Sequence, residues 1–253
     1  MEKHYYHEYY ELERKNWWFR ARNQILMDRV AKLLKNKQDV KILNVGVATG
    51  STSQLLTELG EVISIEYDEE CCNFAKQQTG LNIIQGSILD LPFDENSFDL
   101  VCAFDVIEHV EDDQKAVSEL KRVCKSDGWV MVSVPAFSFL WSHHDVINHH
   151  FRRYTMPMLK AIFLKDKDGY IAYQSYFNAI LFVPIAVFRL ISGLIPQKWI
   201  RKGTGADNLI FPQESWVSKL LYQIFHLEQP WLINGLTFPF GISAMLCWQM
   251  RKV

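Results

Sequence analysis

VKILNVGVATG, residues 40–50, runs directly into STSQLLTELG, residues 51–60. The apolar residues Val40, Ile42, Leu43, Val45 and Val47 stop at small residues, and Leu55, Leu56 and Leu59 then recur at helical spacing. Strand, glycine-bearing turn and helix, in that order, open a nucleotide-binding α/β domain. Gly46 and Gly50 leave room for a ligand against the backbone, and a helix starting near Ser51 offers unpaired N–H groups to a polar or anionic group.

The same alternation continues outward. It predicts strands over 40–47, 62–67, 81–85, 98–104 and 129–134, with helices over 51–59, 69–78 and 112–125. Apolar strands alternating with amphipathic helices make a parallel sheet covered on both faces. Ligands bind beyond the carboxyl ends of such strands, so the residues just after each strand are the informative ones. These are the glycine turn; Glu66 and Asp68; Gly86, Ser87 and Ile88; and Asp105, Val106, Glu108 and His109. Glu66, about 20 positions after the turn, is placed to accept hydrogen bonds from ribose hydroxyls. Each residue alone reads equally well as a solvated turn; four strand ends in register point to a site.

The chain has 253 residues, 49% of them hydrophobic, enough for one sizeable core. Lys and Arg total 27 against 29 Asp and Glu, a net charge of −2, so no basic field argues for nucleic acid. The first residues, MEKHYYHEYYELERK, contain no apolar signal core, and the five cysteines show no C-x-x-C spacing. Both observations predict a cytoplasmic protein with buried thiols. Residues 1–35 read as helix, with Ile25, Leu26, Val30, Leu33 and Leu34 on one face behind a cluster of Tyr and Trp. That segment either docks on the core or forms a lid, with Arg20 or Arg22 facing a carboxylate.

At three places the sequence resembles the class I S-adenosylmethionine-dependent methyltransferases, the methyltransferase type 11 branch that includes ubiquinone- and menaquinone-biosynthesis enzymes. These are ILNVGVATG, Glu66, and LDLPFDENSFDLVCAFDVIEHVEDD at residues 89–113. The resemblance spans residues 40–135 and implies an α/β, Rossmann-like seven-stranded sheet with its last strand antiparallel. It implies S-adenosyl-L-methionine as cofactor, with S-adenosyl-L-homocysteine as product. Gly46, Ala48 and Gly50 would border the methionine part, Glu66 and the adjacent Tyr67 the ribose, Ser87 and Ile88 the adenine, and Phe104 and Asp105 the amino acid end, with Arg22 reaching in from the lid. Three positions depart from the family pattern: Asn44 stands where an acid is usual, Ala48 replaces the middle glycine, and Ser87 replaces an adenine-contacting Asp. Asn44 can still accept a water-mediated bond. A dinucleotide dehydrogenase is the competing reading of a glycine turn plus an acid, but G-x-G-x-x-G is absent here. NWWFRAR and LWSHHDVINHHFRRYT also resemble a bacterial subgroup of these enzymes.

Methyl transfer to oxygen or nitrogen needs a base near neutrality, and histidine suits that. Residues 139–155 hold the densest candidates: His144 or His150 as base, Asp145 orienting an imidazole, and His109 after the fourth strand. Arg152 or Arg153 would hold an anionic acceptor group, with Trp18, Trp141 and Tyr154 beside it. No metal is assigned, although a histidine-rich loop that binds one is the alternative. RRYT equally well caps the next helix, with Thr155 as N-cap and Pro157 in the first turn.

A helix over 155–164 leads to a strand over 170–176, and the closing strand is expected at 241–249. The domain plan is a helical lid at 1–39, a methyltransferase domain at 40–176 and 237–253, and a helical insertion at 177–236. In the insertion two apolar pieces, 177–195 and 215–233, flank a basic-aromatic link with Lys198, Trp199, Arg201 and Lys202. Such a link suits peripheral contact with anionic headgroups. Packing on the sheet or on a second copy in a homodimer is the alternative. The expected function is methyl transfer to a small or lipid-linked acceptor. A quinone-precursor methyltransferase and a non-catalytic scaffold at a membrane surface are the competing readings.

Overall fold

The structure, a computed structural model, describes residues 6–192 and 215–252. Seven strands form one sheet: β1 (Lys41–Val45), β2 (Glu61–Glu66), β3 (Ile83–Gln85), β4 (Phe98–Phe104), β5 (Cys124–Pro135), β6 (Gly169–Phe177) and β7 (Ser243–Met250). Their order is β3-β2-β1-β4-β5-β7-β6. The first five are mutually parallel, and β7 runs antiparallel to both β5 and β6. The chain reverses direction across the sheet between β3 and β4, which flank the β2–β1 pair, so the carboxyl ends of β1, β2 and β4 meet at one edge of the sheet.

Both faces are buried because alternate residues of each central strand are apolar. Leu43, Val45, Val101, Ala103, Val130 and Val132 join one core, while Ile42, Leu100, Cys102 and Met131 join the other. On the first face lie α5 (Asp113–Arg122) and α7 (Met156–Phe163), through Leu120 and Phe163, with the short α6 (His143–Ile147) between them in the chain. On the second lie α2 (Trp17–Leu34), through Ala21, Ile25 and Val30, and α3 (Ser51–Leu56), through Leu56. The helix α4 (Glu69–Thr79) packs beside β3 through Cys72 and Ala75. All five cysteines are free and buried.

Three expectations shift. Residues 6–34 form two helices, α1 (Tyr6–Lys15) and α2, broken at Asn16, whose side chain accepts from Trp18 N at 2.9 Å. An Asn in extended conformation satisfies an orphan donor of a new helix better than it continues the old one. The helix expected over 112–125 ends at Arg122, and β5 begins at Cys124 rather than at Trp129. Residues 125–128 bulge out, the pairing jumping from Phe98↔Cys124 to Leu100↔Trp129. Thr155 is the N-cap of α7 with Pro157 in its first turn, as the RRYT reading anticipates.

Between β6 and β7 lie α8 (Phe182–Ser192), α9 (Trp216–His226) and α10 (Gln229–Ile233). Helices α9 and α10 pack on α2, where Phe225 and Leu232 enter the second core. Arg29 of α2 lies 3.6 Å over the Tyr173 ring and donates to Leu232 O. The basic-aromatic link with Lys198, Trp199, Arg201 and Lys202 lies outside the described residues. Among the described residues, no helix is long and apolar enough to cross a membrane.

Candidate active site

The glycine turn folds back over β2. Gly46 N donates to Ile65 O at 2.7 Å, and Ala48 N donates to Glu66 Oε2 at 2.8 Å. Gly46 has φ +69°, and a Cβ there would lie 2.5 Å from Val106 Cγ2, so the residue after Asp105 presses on the turn. Glu66 Oε1 accepts from Asp68 N at 3.1 Å. Burial raises the Glu66 pKa, and those backbone bonds only partly offset it. Gly46, Glu66 and Asp105 therefore stand together at three adjoining strand ends. Gly50, at φ +85°, is the N-cap of α3. Tyr67 follows at the end of β2, 74% exposed, its carbonyl accepting from Gln85 Nε2.

Two residues expected at the cofactor are engaged within the protein. Asn44 is buried and donates from its amide to Thr52 Oγ1 and Ser53 Oγ, both at 2.9 Å. A neutral side chain there satisfies the α3 hydroxyls without burying a charge. Ile88 packs in the first core at 5% exposure. The neighbouring Ser87 hydroxyl accepts from Leu89 N at 3.1 Å, closing the turn that carries Ile88 inward.

Helix α1 lies across the glycine turn. Arg14 donates to Thr49 O at 3.3 Å and to Gln54 Oε1 at 2.5 Å, Thr49 donates to Glu13, and Tyr6 OH donates to Asp68 Oδ1 at 2.9 Å. Burial pushes the Glu13 carboxyl up to about 7 against the pull of Thr49, Arg14 and Arg22. Of the two candidate arginines, Arg22 faces a carboxylate: its Nη2 lies 2.5 Å from Asp105 Oδ2. Arg20 turns away, 4.9 Å over the Tyr222 ring. Ser133 Oγ donates to Asp105 Oδ1 at 3.2 Å, and Trp18 and Phe104 lie 5.6 and 5.9 Å from the Arg22 guanidinium. Arg22 Nε is buried without a partner. A carboxylate acceptor (Asp105) and a spare guanidinium N–H side by side fit a zwitterionic amino acid end, as S-adenosyl-L-methionine has.

Beyond Asp105 opens a cavity of about 440 Å³. Trp18, Glu108, His109, His144, His150 and Arg153 are among its walls. Asp145 holds this group together. It accepts from His150 Nδ1 at 2.8 Å, from Arg153 Nε and Nη2 at 2.8 and 2.9 Å, and from Ser142 N at 2.7 Å. Burial alone would raise the Asp145 pKa, but His150 and Arg153 outweigh it and hold the carboxyl well below the usual range. The His109 and His144 rings contact His150 at 4.5 and 5.8 Å between centroids. Desolvation within the cavity, with His150 beside it, lowers His109 to about 4, so its ring is neutral at physiological pH. The four expected catalytic residues are thus brought together.

The expected acceptor-binding set divides. Arg152 pairs with Asp113 at 2.6 Å and donates to Glu111 O at 2.6 Å, away from the cavity. Tyr154 is buried, with its OH donating to Asp113 Oδ2 at 2.8 Å. Arg153 reaches the cavity wall, but its guanidinium is engaged by Asp145 and Ala136 O. Extended backbone explains the split: residues 152 and 154 point one way and 153 the other, once Tyr154 bridges Ala136. Trp141, 38% exposed, is not among the cavity walls, whereas Trp18 is. Glu108, which the sequence marks only as one of the residues after the fourth strand, is made a wall by the fold. The sequence gives no site signal for Asn178, at φ +57° beyond β6, fully buried with both amide atoms unpartnered and facing the same cavity. No local motif marks Asn178, because the wall it shares comes from distant segments.

Residues 43–132 match the family model described as a methyltransferase domain. A probable S-adenosylmethionine-dependent methyltransferase of Mycobacterium tuberculosis is 31% identical over 127 residues, covering 49% of this chain and 45% of the relative. The chain thus spans less than half the length of that relative. A demethylmenaquinone methyltransferase of Staphylococcus aureus is 27% identical over 171 residues, covering 62% and 68% of the two chains. The crystal structure of the YcgJ protein from Bacillus subtilis superposes with a TM-score of 0.57 at 18% identity, over 92% of this chain and 99% of that one, which bears on the fold alone. Residues 43–132 thus match a methyltransferase domain, and the sheet around them has the order of the class I methyltransferase fold.

Proposed function

We propose that the protein transfers a methyl group from S-adenosyl-L-methionine to a small or lipid-linked acceptor held in the cavity beyond Asp105. One observation carries the reading: Asp105 belongs both to the strand-end cluster with Gly46 and Glu66 and to the wall of the cavity lined by imidazoles. When bound, the cofactor supplies an electrophilic methyl carbon on a sulfonium, and the protein's task is alignment and exclusion of water. Glu66 accepts from the ribose hydroxyls, while Asp105 and Arg22 take the amino acid end. Residues 1–39 act as a lid, α1 lying over the turn and α2 supplying Trp18 and Arg22. The imidazoles of His109, His144 and His150 form the proton-accepting side, Asp145 fixing the His150 tautomer by taking its Nδ1–H. Asn178 offers an amide to the acceptor.

Favouring a lipid-linked acceptor, Phe188 of α8 lines the cavity, and the same helix exposes Val183, Val187, Leu190 and Ile191. Residues 177–236 would then be the acceptor- and membrane-facing insertion of the domain formed by 40–176 and 237–253. The similarity to a demethylmenaquinone methyltransferase favours a quinone-like apolar acceptor as a second reading. Calorimetry with S-adenosyl-L-homocysteine should show binding to one site per chain. Methyl-labelled cofactor with fractionated extract should carry label into the organic-extractable fraction. Absence of binding at millimolar ligand sinks the reading; label in the aqueous fraction alone sinks the lipid-linked acceptor.

A further inference from the structure

The cavity contains a buried carboxylate that the methyl-transfer reading leaves without a task. Glu108 is fully buried, and neither of its carboxyl oxygens has a hydrogen-bond partner. A buried carboxyl without a partner costs several kcal/mol in either protonation state, so it is rarely kept idle. The two arginines nearest to it do not answer it, since Arg22 is paired with Asp105 and Arg153 with Asp145. Both arginines are thus engaged elsewhere, which leaves the Glu108 oxygens without a cationic partner.

What Glu108 does face is a pair of imidazoles. One ligating atom from each of Glu108, His109 and His150 lies within 4.8 Å of the others. One ring is already anchored on its far side. His150 Nδ1 donates to Asp145 Oδ1 at 2.8 Å. That nitrogen is therefore fixed as a donor and the other nitrogen of the His150 ring keeps its lone pair. Histidine ligands of metal ions are oriented in this way, by a carboxylate or a backbone carbonyl on the second nitrogen. The two segments that carry the donors are tied to each other, Phe151 N donating to Glu108 O at 2.8 Å.

We propose that Glu108, His109 and His150 bind a divalent first-row transition cation, of the zinc, manganese or iron(II) class, in the wall of the acceptor cavity. Two imidazoles and one carboxylate suit such ions better than magnesium or calcium, which favour all-oxygen sets. At metal–ligand bonds of about 2.1 Å, tetrahedral ligand atoms stand about 3.4 Å apart. Closing from 4.8 Å requires a small side-chain rotation, and Glu108 breaks no hydrogen bond in making it. Three protein ligands leave a coordination position open toward the cavity, where an oxygen of the acceptor would bind. His109 and His150 would then serve as ligands, and of the three imidazoles His144 would remain to take the acceptor's proton. The place given to the acceptor rests on the methyltransferase reading; the cation site does not.

The test uses the full chain, stripped with chelator and titrated with Co²⁺, followed by visible ligand-field absorption and displacement by Zn²⁺. One ion per chain with a Zn²⁺-displaceable spectrum is expected. His109→Ala and Glu108→Gln should each weaken Co²⁺ binding at least tenfold while still binding S-adenosyl-L-homocysteine, which also reports that they fold. Asp145→Asn should weaken it by roughly ten- to a hundredfold, as loss of an outer-shell carboxylate does. Should Co²⁺ give no spectrum while S-adenosyl-L-homocysteine binds, the cation site is wrong and the methyltransferase reading stands. Should Co²⁺ bind but the nucleoside not, the reverse holds. Equal Co²⁺ affinity in wild type, His109→Ala and Glu108→Gln would also overturn the assignment.

Discussion

Glu66 ties the glycine turn to the end of β2. Its carboxylate takes the Ala48 and Asp68 N–H groups and is left with lone pairs for a ribose. Hydrogen bonds to a charged acceptor contribute about 1.5–3 kcal/mol, so Glu66→Ala should weaken S-adenosyl-L-homocysteine binding by about ten- to a hundredfold in calorimetry. Wild-type affinity in that variant would refute the ribose assignment. Gly46 is constrained from the other side: φ +69° and a Cβ position 2.5 Å from Val106 Cγ2 leave no room for a side chain. Gly46→Ala should lower stability by about 1–3 kcal/mol in urea unfolding, from the left-handed backbone and the overlap together.

At the scale of elements, the junction of α9 and α10 carries its own pH dependence. Glu228 is fully buried there, and its Oε1 accepts from Ile180 N at 2.7 Å, while Oε2 has no partner. Burial pushes its carboxyl up to about 7. An unfolded Glu titrates near 4.3, so between the two values the folded protein holds a proton that the unfolded chain has released. Stability is complete below the lower value and is lost as pH rises through 7, by on the order of 3 kcal/mol for this group. Glu13, also pushed up to about 7, adds a slope of the same sign. Glu228→Gln should therefore reduce the fall in unfolding midpoint across that window. An unchanged slope would show that Glu228 titrates normally.

Across the molecule, apolar surface is unevenly distributed. Val183, Val187, Leu190 and Ile191 of α8 and Trp216 of α9 are exposed, and the cavity wall includes Phe188 of the same α8. Exposed apolar side chains on a helix that also lines the cavity suit uptake of an acceptor from a lipid surface. The protein should co-sediment with phosphatidylglycerol vesicles, and Val187→Glu with Leu190→Glu should abolish that while leaving S-adenosyl-L-homocysteine affinity unchanged. Equal sedimentation of the double variant would remove α8 as the contact.

The α/β class, the strand positions and the residues that follow them were legible in the chain, because strand periodicity and glycine turns are local properties. The gathering of His109, His144 and His150 around Asp145 was legible only as a density of histidines. What the tertiary structure alone decided is direction. Asn44 and Ile88 turn inward, Arg152 and Tyr154 go to Asp113, and Glu108 and Asn178 face the cavity from segments far apart in sequence. Which side of a strand end a residue presents depends on bridges such as Ala136 to Tyr154, formed by distant segments that no local pattern encodes.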